Sequence, residues 1–430
     1  MLDIRLIRED PDLVKGNLKK KFQEDKISLV DEILKKDETW RKSKFKADDL
    51  RKERNIVSKK INESKKSKDE KAAREFIKKA KEIPEKINKI EIKNKKLAQE
   101  IDEMMLQIPN IISEETPIGK DESNNKEISK KGKIKKFSFP VKNHVELIES
   151  LGIGDFESSG NAAGKGFYYL KNELGLLNQA LIRFALDYMK KKGYEYIETP
   201  LMLNGKSIFA SMDKDAIAES VYKIEGEDLA MIGTAEQALL AMHTEEVIKE
   251  ENLPKKYFSY SMCFRKEIGS HGINEKGLWR THQFNKVEQF VFCKPEDSKK
   301  LYEELLKNTK GILEELELPY RVLELCSGDL ADWKYRSADI EVYRPTTKSY
   351  GEIVSLSNCT DYQARKLNIK VIDKKGNRRV LHTLNNTALA TSRILVAILE
   401  NFQQKDGSVS IPKILWKYTG FKEIKANKKP

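Results

Sequence analysis

The chain has 430 residues, enough for two or three domains, and its formal net charge of +13 at pH 7 makes polyanions the first partners to consider. No apolar run approaches the roughly 20 residues that span a bilayer. The start M-L-D-I-R-L-I-R-E-D lacks the apolar core and cleavage site of a signal peptide, so a soluble, cytoplasmic protein without membrane association is expected. Cys263, Cys293, Cys326 and Cys359 form no C-x-x-C pair, which argues against a zinc ribbon and a secreted disulfide framework and leaves buried free thiols.

Residues 1 to about 27 read as a short cap: a strand-like L-D-I-R-L-I, then a helix after D-P-D-L. From about Ser28 to Ile61 the sequence is helical in character, without Gly or Pro. Ile33, Trp40, Ala47 and Ile61 fall at multiples of seven, Leu50 and Val57 supply a second row, and Lys44 and Arg54 occupy seam-like places. Polar Asn62 to Asp69 marks a tip. The returning segment carries Ala73, Phe76, Ala80, Ile83, Ile87, Ile90, Asn94, Leu97, Ile101, Met104 and Ile108 in alternating steps of three and four, a heptad seam. Pro84 inside it should kink the helix or cost a hydrogen bond. Two arms of about 35 residues, roughly 50 Å each at 1.5 Å per residue, predict an antiparallel coiled-coil hairpin. From Arg41 to Lys96 there are 22 Lys/Arg against 10 Asp/Glu, so this segment holds nearly all the net charge. A dimerisation or spacer coil is one reading of it; the surplus suits contact with a nucleic acid backbone, gripping phosphates and shape rather than stacking bases.

Ile112 to Lys136 reads as a polar linker without periodicity, and a globular domain begins sharply at F-S-F-P-V-K-N-H. The expected division is 1–112, 113–136 and 137–430. In the last part Gly175 to Lys192 is an amphipathic helix and G-Y-E-Y-I-E-T-P a strand ending at Pro200. Asp228 to Ala241 is a strand turning through T-A-E into a helix. Leu301 to Leu316 is helical, and Tyr320–Leu325, Ser337–Tyr343 and Ser349–Leu356 are short antiparallel strands. L-H-T-L-N-N-T-A-L-A is a strand end feeding a helix from about Ala388 to Asn401. This is an α+β domain on a mainly antiparallel sheet, with neither a G-x-G-x-x-G nor a P-loop.

The densest stretch is Phe264 to Phe292, two antiparallel strands around a loop with Gly269, Gly272 and Gly277. Period-two alternation would put Arg280, His282, Phe284, Lys286 and Glu288 on one face, and Arg265 with Glu267 likewise. Such a face suits a flat, charged ligand with a phosphate; taken alone, it also reads as ordinary surface ion pairs.

Over essentially its full length the chain resembles the seryl-tRNA synthetases, class II aminoacyl-tRNA synthetases. Gly193 to Pro200 resembles class II motif 1, Phe264-Arg265-x-Glu267 through Glu288 motif 2, and Leu384 to Arg393 motif 3. The basic helical hairpin, Thr234-Ala235-Glu236 and N-N-T-A-L-A single out the serine branch, in its common archaeal-like form without zinc. The resemblance departs at Lys165-Gly166-Phe167, where many members carry Arg before the Phe.

The resemblance implies a class II catalytic domain, a six-to-seven-stranded antiparallel sheet flanked by helices, with an N-terminal coiled-coil arm. It also implies a homodimer through motif 1 and Mg²⁺ with ATP, L-serine and serine tRNA as ligands, the long variable arm of the tRNA lying against the hairpin. Serine and ATP would give seryl-adenylate and pyrophosphate, and the terminal ribose of the tRNA would take the seryl group; selenocysteine tRNA stays open as a second acceptor. Arg265 would bridge serine carboxylate and α-phosphate. Lys266, Glu267, Arg280, Thr281 and Phe284 would serve ATP, with Glu267 on the adenine amino group, the Thr281 backbone on the base edge and Phe284 stacked on the ring. Arg393 would stack on the other face or reach the γ-phosphate. Glu352, Ile353, Val354 and Ser355 would complete the nucleotide site, Glu352 and Ser355 holding magnesium. Thr234, Ala235, Glu236, Glu288, Asn385 and Thr387 would form the serine pocket, Glu288 on the ammonium and Thr387 on the hydroxyl. Alignment and charge neutralisation suffice for the chemistry, so His271 and His282 are read as structural or tRNA-contacting, and the Gly-rich loop as the part that moves when tRNA arrives. An amino acid:carrier-protein ligase would lack the basic hairpin, and a catalytically inactive RNA-binding paralogue would have no need of Arg265, Glu288, Glu352 and Arg393 together.

Overall fold

A computed structural model describes residues 1–267 and 276–426; Gly269, His271 and Gly272 of the motif 2 loop lie outside the described residues. The chain forms two compact units, Leu2–Pro109 and, with Met1, Asn110–Pro430.

The first unit opens with helix α1 (Ile4–Glu9), not a strand: the Asp3 side chain accepts from Arg5 N–H, an N-cap, and Ile7 is buried. After α2 (Pro11–Lys20) come the two long helices α3 (Ile27–Lys66) and α4 (Glu70–Met105). The tip is shorter than expected, Ser67–Asp69, because α3 runs 40 residues, roughly 60 Å. Lys68 takes a positive φ of 59° there, and Asp69 caps α4 by accepting from Ala72 N–H at 3.0 Å. The seam is the predicted one: Val57, Ile83 and Ile87 are buried, with Leu50, Ile61, Phe76 and Ala80 packed against them. Lys44 and Arg54 are exposed. Helix α4 is continuous through Pro84. Near its base Asp37 is buried between Arg8, at 2.6 and 2.8 Å, and Arg41, at 2.9 Å.

The second unit is built on an eight-stranded sheet, wider than expected. Its strands are β1 (Lys126–Lys131), β2 (Glu195–Tyr196), β3 (Lys255–Phe264), β4 (Gln283–Cys293), β5 (Tyr320–Glu324), β6 (Arg336–Arg344), β7 (Ser349–Asn358) and β8 (His382–Ala390). The order is β1-β5-β6-β7-β8-β4-β3-β2, antiparallel throughout except the β2–β3 edge. Strand β1 falls inside 113–136, so the polar stretch read as a linker supplies one sheet edge, Lys131 pairing with Tyr320. Helices α5 (His144–Leu151), α6 (Asn172–Lys191) and α10 (Ser298–Glu315) bury apolar faces in the main core. Between them in sequence come α7 (Gly205–Ser211), α8 (Lys214–Ser220) and α9 (Ala235–Ala241).

The strand expected at L-H-T-L-N-N-T runs on through A-L-A as a central strand, so α11 begins only at Thr391, three residues later than expected, and ends at Phe402. Pairing with β7 on one side and β4 on the other overrides the helical leaning of A-L-A. Its polar residues are divided by the pleat. Asn386 faces α10, donating to Leu305 O and Thr309 Oγ1 at 2.9 Å each, while Asn385 and Thr387 face the other way. All four cysteines are buried and free. Among the described residues no helix is long and apolar enough to cross a membrane.

Candidate active site

On that other face of the sheet lies a cavity of about 470 Å³. Strand β4 contributes Phe284, Lys286 and Glu288, and β8 contributes Asn385 and Thr387, each set spaced by two. Register brings the strands together: Thr387 stands opposite Glu288 and Asn385 opposite Ser357. Strand β7 departs from period two. A bulge leaves Ile353 unpaired, since Glu352 stands opposite Glu341 and Val354 opposite Ile340. The bulge turns Glu352, Ile353 and Ser355 all to the cavity, and Val354 into the core. The N-terminus of α11 closes the wall with Ser392 and Arg393, adding the positive end of its dipole.

One end of the cavity is acidic and hydroxylated. Glu288, 1% exposed, accepts from Thr387 Oγ1 at 3.3 Å and Thr234 Oγ1 at 3.5 Å and pairs with Lys286 Nζ at 2.7 Å. Glu236 accepts from Gln363 at 2.7 Å and from Asn385 at 3.0 Å. Burial, and then the charge of Glu288, push the Glu236 carboxyl up to about 7, with Gln363, Lys286 and Lys334 opposing.

The other end is cationic and aromatic. The Arg265 guanidinium lies 5.4 Å from the Phe284 ring centre, and its Nε donates to Gly233 O at 3.2 Å. Arg280 pairs with Glu267 at 3.5 Å. Glu267 stands at a positive φ of 53°, strained for a residue with a Cβ. Arg393 donates to Glu352 O at 2.7 Å and lies 3.3 Å from its carboxylate.

Of the residues singled out above, Ala235, Lys266 and Val354 do not line the cavity. Ala235 is buried in α9, and the Lys266 backbone N–H donates to Ser220 O at 2.9 Å. Arg280 and His282 precede β4, which starts at Gln283, so alternation does not govern them. His282 packs behind the site instead, its backbone N–H on Gly166 O and its Nδ1 2.9 Å from Arg265 O. The departure at Lys165-Gly166-Phe167 is thus a packing contact with His282, and Lys165 itself is exposed. Lys286 shared the predicted face but was given no role; the β4 pattern already placed it there. Trp279 lies within the motif 2 stretch beside Arg280, whereas Lys334, Gln363, Ser211, Met212, Ala216 and Glu219 to Val221 had no sequence signal, because long-range packing brings them in.

Whether magnesium fits is decided by the oxygens near β7. Asp339 stands opposite Ser355, and its buried Oδ1 has no hydrogen-bond partner. Burial, then the neighbouring charge of Glu352, push the Asp339 carboxyl up to about 8. The carboxyl groups of Glu352 and Asp339 with the Ser355 hydroxyl form a hard-oxygen set that suits magnesium completed by ligand oxygens, with Arg393 3.3 Å from the Glu352 carboxylate and Lys334 donating to Ser355 Oγ at 3.1 Å. Among the described residues no three His, Cys, Asp or Glu converge as a metal cluster.

An antiparallel sheet with a cationic, aromatic-floored cavity and an arginine on the following helix defines a class II aminoacyl-tRNA synthetase catalytic domain. The family model for the tRNA synthetase class II core domain (G, H, P, S and T) matches residues 221–402, and that for the seryl-tRNA synthetase N-terminal domain matches 1–112. The serine–tRNA ligase of Methanocella arvoryzae is 44% identical over 420 residues, covering 97% of this chain and 98% of the relative. The seryl-tRNA synthetase of Pyrococcus horikoshii complexed with ATP superposes with a TM-score of 0.94 at 42% identity, covering 100% of both chains. The cytoplasmic serine–tRNA ligase of Naegleria fowleri in complex with AMP gives 0.89 at 31% identity, covering 100% of this chain and 99% of that one. The chain belongs to the serine–tRNA ligase family and is an aminoacyl-tRNA ligase.

Proposed function

We propose that this cavity activates L-serine with ATP and then hands the seryl group to serine tRNA, both in one place. The observation that carries this reading is the polarity of the cavity, an acid–hydroxyl end at Glu288 against an arginine–aromatic end at Phe284, four residues apart on β4. Glu288 is suited to the serine ammonium, which would share or take over the place of Lys286. Thr387 and Asn385 are suited to its hydroxyl; a site built for a buried hydroxyl leaves its own polar groups unpaired against alanine. Arg265, at the junction, is suited to carboxylate and α-phosphate together, holding the attacking oxygen in line. Phe284, Glu267, Arg280 and Thr281 would hold the adenine, and Arg393 the phosphates or the base. Glu352 and Ser355, with Asp339 behind them, would hold Mg²⁺, which when bound neutralises phosphate charge.

The basic hairpin is suited to the tRNA backbone. Exposed Leu176 on α6, Tyr196 in the motif 1 stretch, and Leu201 and Met202 just after it favour a homodimer through that region. A cytoplasmic location is in keeping with that substrate. Serine-dependent exchange of pyrophosphate into ATP tests the first half: purified protein that shows none refutes the reading. Deleting Arg41 to Lys96 is expected to leave exchange and abolish tRNA charging. Equal loss of both would make the hairpin a folding element.

A further inference from the structure

Behind the cavity wall, the limb Gly277–Arg280 is held by a chain of buried groups. Leu278 N–H donates to His144 Nε2 at 3.1 Å, and His144 Nδ1 lies 3.4 Å from Glu400. Because Nε2 accepts, the neutral ring carries its proton on Nδ1, facing Glu400. Fully buried Glu400 also accepts from Arg344 at 2.9 Å and Thr346 at 2.7 Å. Burial opposes its charge, yet these donors outweigh burial and hold its carboxyl below the ordinary value. Arg344 in turn lies over the Trp279 ring, 4.3 Å from its centre. Arg393 lies over the same ring at 5.5 Å and donates to Trp279 O at 3.3 Å. Glycines make room for the chain: a Cβ at Gly351 would overlap the Trp279 ring, and one at Gly277 would overlap His144.

We propose that the His144–Glu400–Arg344–Trp279 chain is a positioning device that sets Arg393 for the nucleotide before ATP arrives. A free arginine side chain loses substantial rotamer entropy when it binds a phosphate or a base. Here the loss is already met in the folded protein, by an aromatic face and a backbone carbonyl whose own places are fixed. Arg344 does not line the cavity, so it acts on Arg393 only through the limb, by stacking on Trp279 and by holding Leu278 through Glu400 and His144. The inference rests on Arg393 serving ATP.

The test is steady-state pyrophosphate exchange with full-length variants. Arg344→Lys keeps the charge facing Glu400 but loses the flat stacking face. It is expected to raise KM for ATP about tenfold while KM for serine stays within about twofold. Trp279→Leu, which leaves the donors of Glu400 intact, should act the same way, and Trp279→Phe should restore most of the loss. In an Arg393→Ala background Arg344→Lys should add little, because both changes remove one interaction. The proposal is overturned if Arg344→Lys and Trp279→Leu leave KM for ATP unchanged. It is equally overturned if both substrates weaken together with a fall in unfolding temperature, or if the Arg344→Lys effect is undiminished beside Arg393→Ala. Arg393→Ala alone separates the premise: an unaltered ATP requirement removes the role of Arg393 itself, whereas a raised one with silent Arg344→Lys removes only the positioning chain.

Discussion

Glu236 and Glu288 share one end of the cavity, and the first of them carries a raised pKa of about 7. For the ligand-free protein the protonated form is the favoured one. The stability this group contributes is therefore full below its ordinary value of 4.5 and is lost as pH rises through 7. A serine ammonium favours the ionised form, so binding below pH 7 must expel a proton. KM for serine is expected to fall as pH rises from about 5 to about 7 and then level off, with Glu236→Gln flattening the profile. A slope that persists unchanged in that variant would assign the titration elsewhere. Thr387→Val tests the hydroxyl end: serine over alanine discrimination in exchange should drop by about tenfold or more. Glu288 was legible because a regular strand alternates, whereas Thr387 came only with the family resemblance. The pairing of Glu352 with Ser355 on one face was not, since it depends on the bulge at Ile353, and a bulge leaves no mark in the local sequence.

Among the elements, strands β4 to β7 and the long helices could be read in the sequence, whereas others could not: β3 ends at Phe264, where the expected strand with Arg265 and Glu267 was to begin. Strand β1 is polar and paired on one side only, so it carries no hydrophobic alternation to detect. Strand β8 was read only in its first part, because the closing A-L-A (388–390) suits helix as well as strand and the strand is buried almost throughout. Helix α1 is only six residues long, too short for its period to outweigh apparent alternation. Helix α4 offers a direct test of its cost at Pro84, whose ring removes a donor from the ladder. Pro84→Ala should stabilise the hairpin by up to about 3 kcal/mol. Amide hydrogen exchange around Ile83 and Ile87 in the intact protein should slow accordingly; unchanged exchange would mean that the seam already absorbs the defect.

At the scale of the whole molecule, charge and chemistry are divided between the two units. Nearly all the net positive charge falls between Arg41 and Lys96, and the cavity lies wholly within the other unit. The two half-reactions should therefore respond differently to salt. Raising it from about 50 to about 200 mM should weaken apparent tRNA affinity steeply, by counterion release, and leave serine-dependent exchange nearly unaltered. Parallel loss of both would contradict that division. The three-residue tip and the heptad seam also make the hairpin a ruler with discrete marks. Seven residues added to each helix on either side of Ser67–Asp69 would keep Val57 against Ile83 and Ile87 and lengthen the rod by about 10 Å. Two or three residues added to one helix alone would slide the apolar rows past each other. The length of this arm can thus change without loss of the seam only in paired, whole-heptad steps.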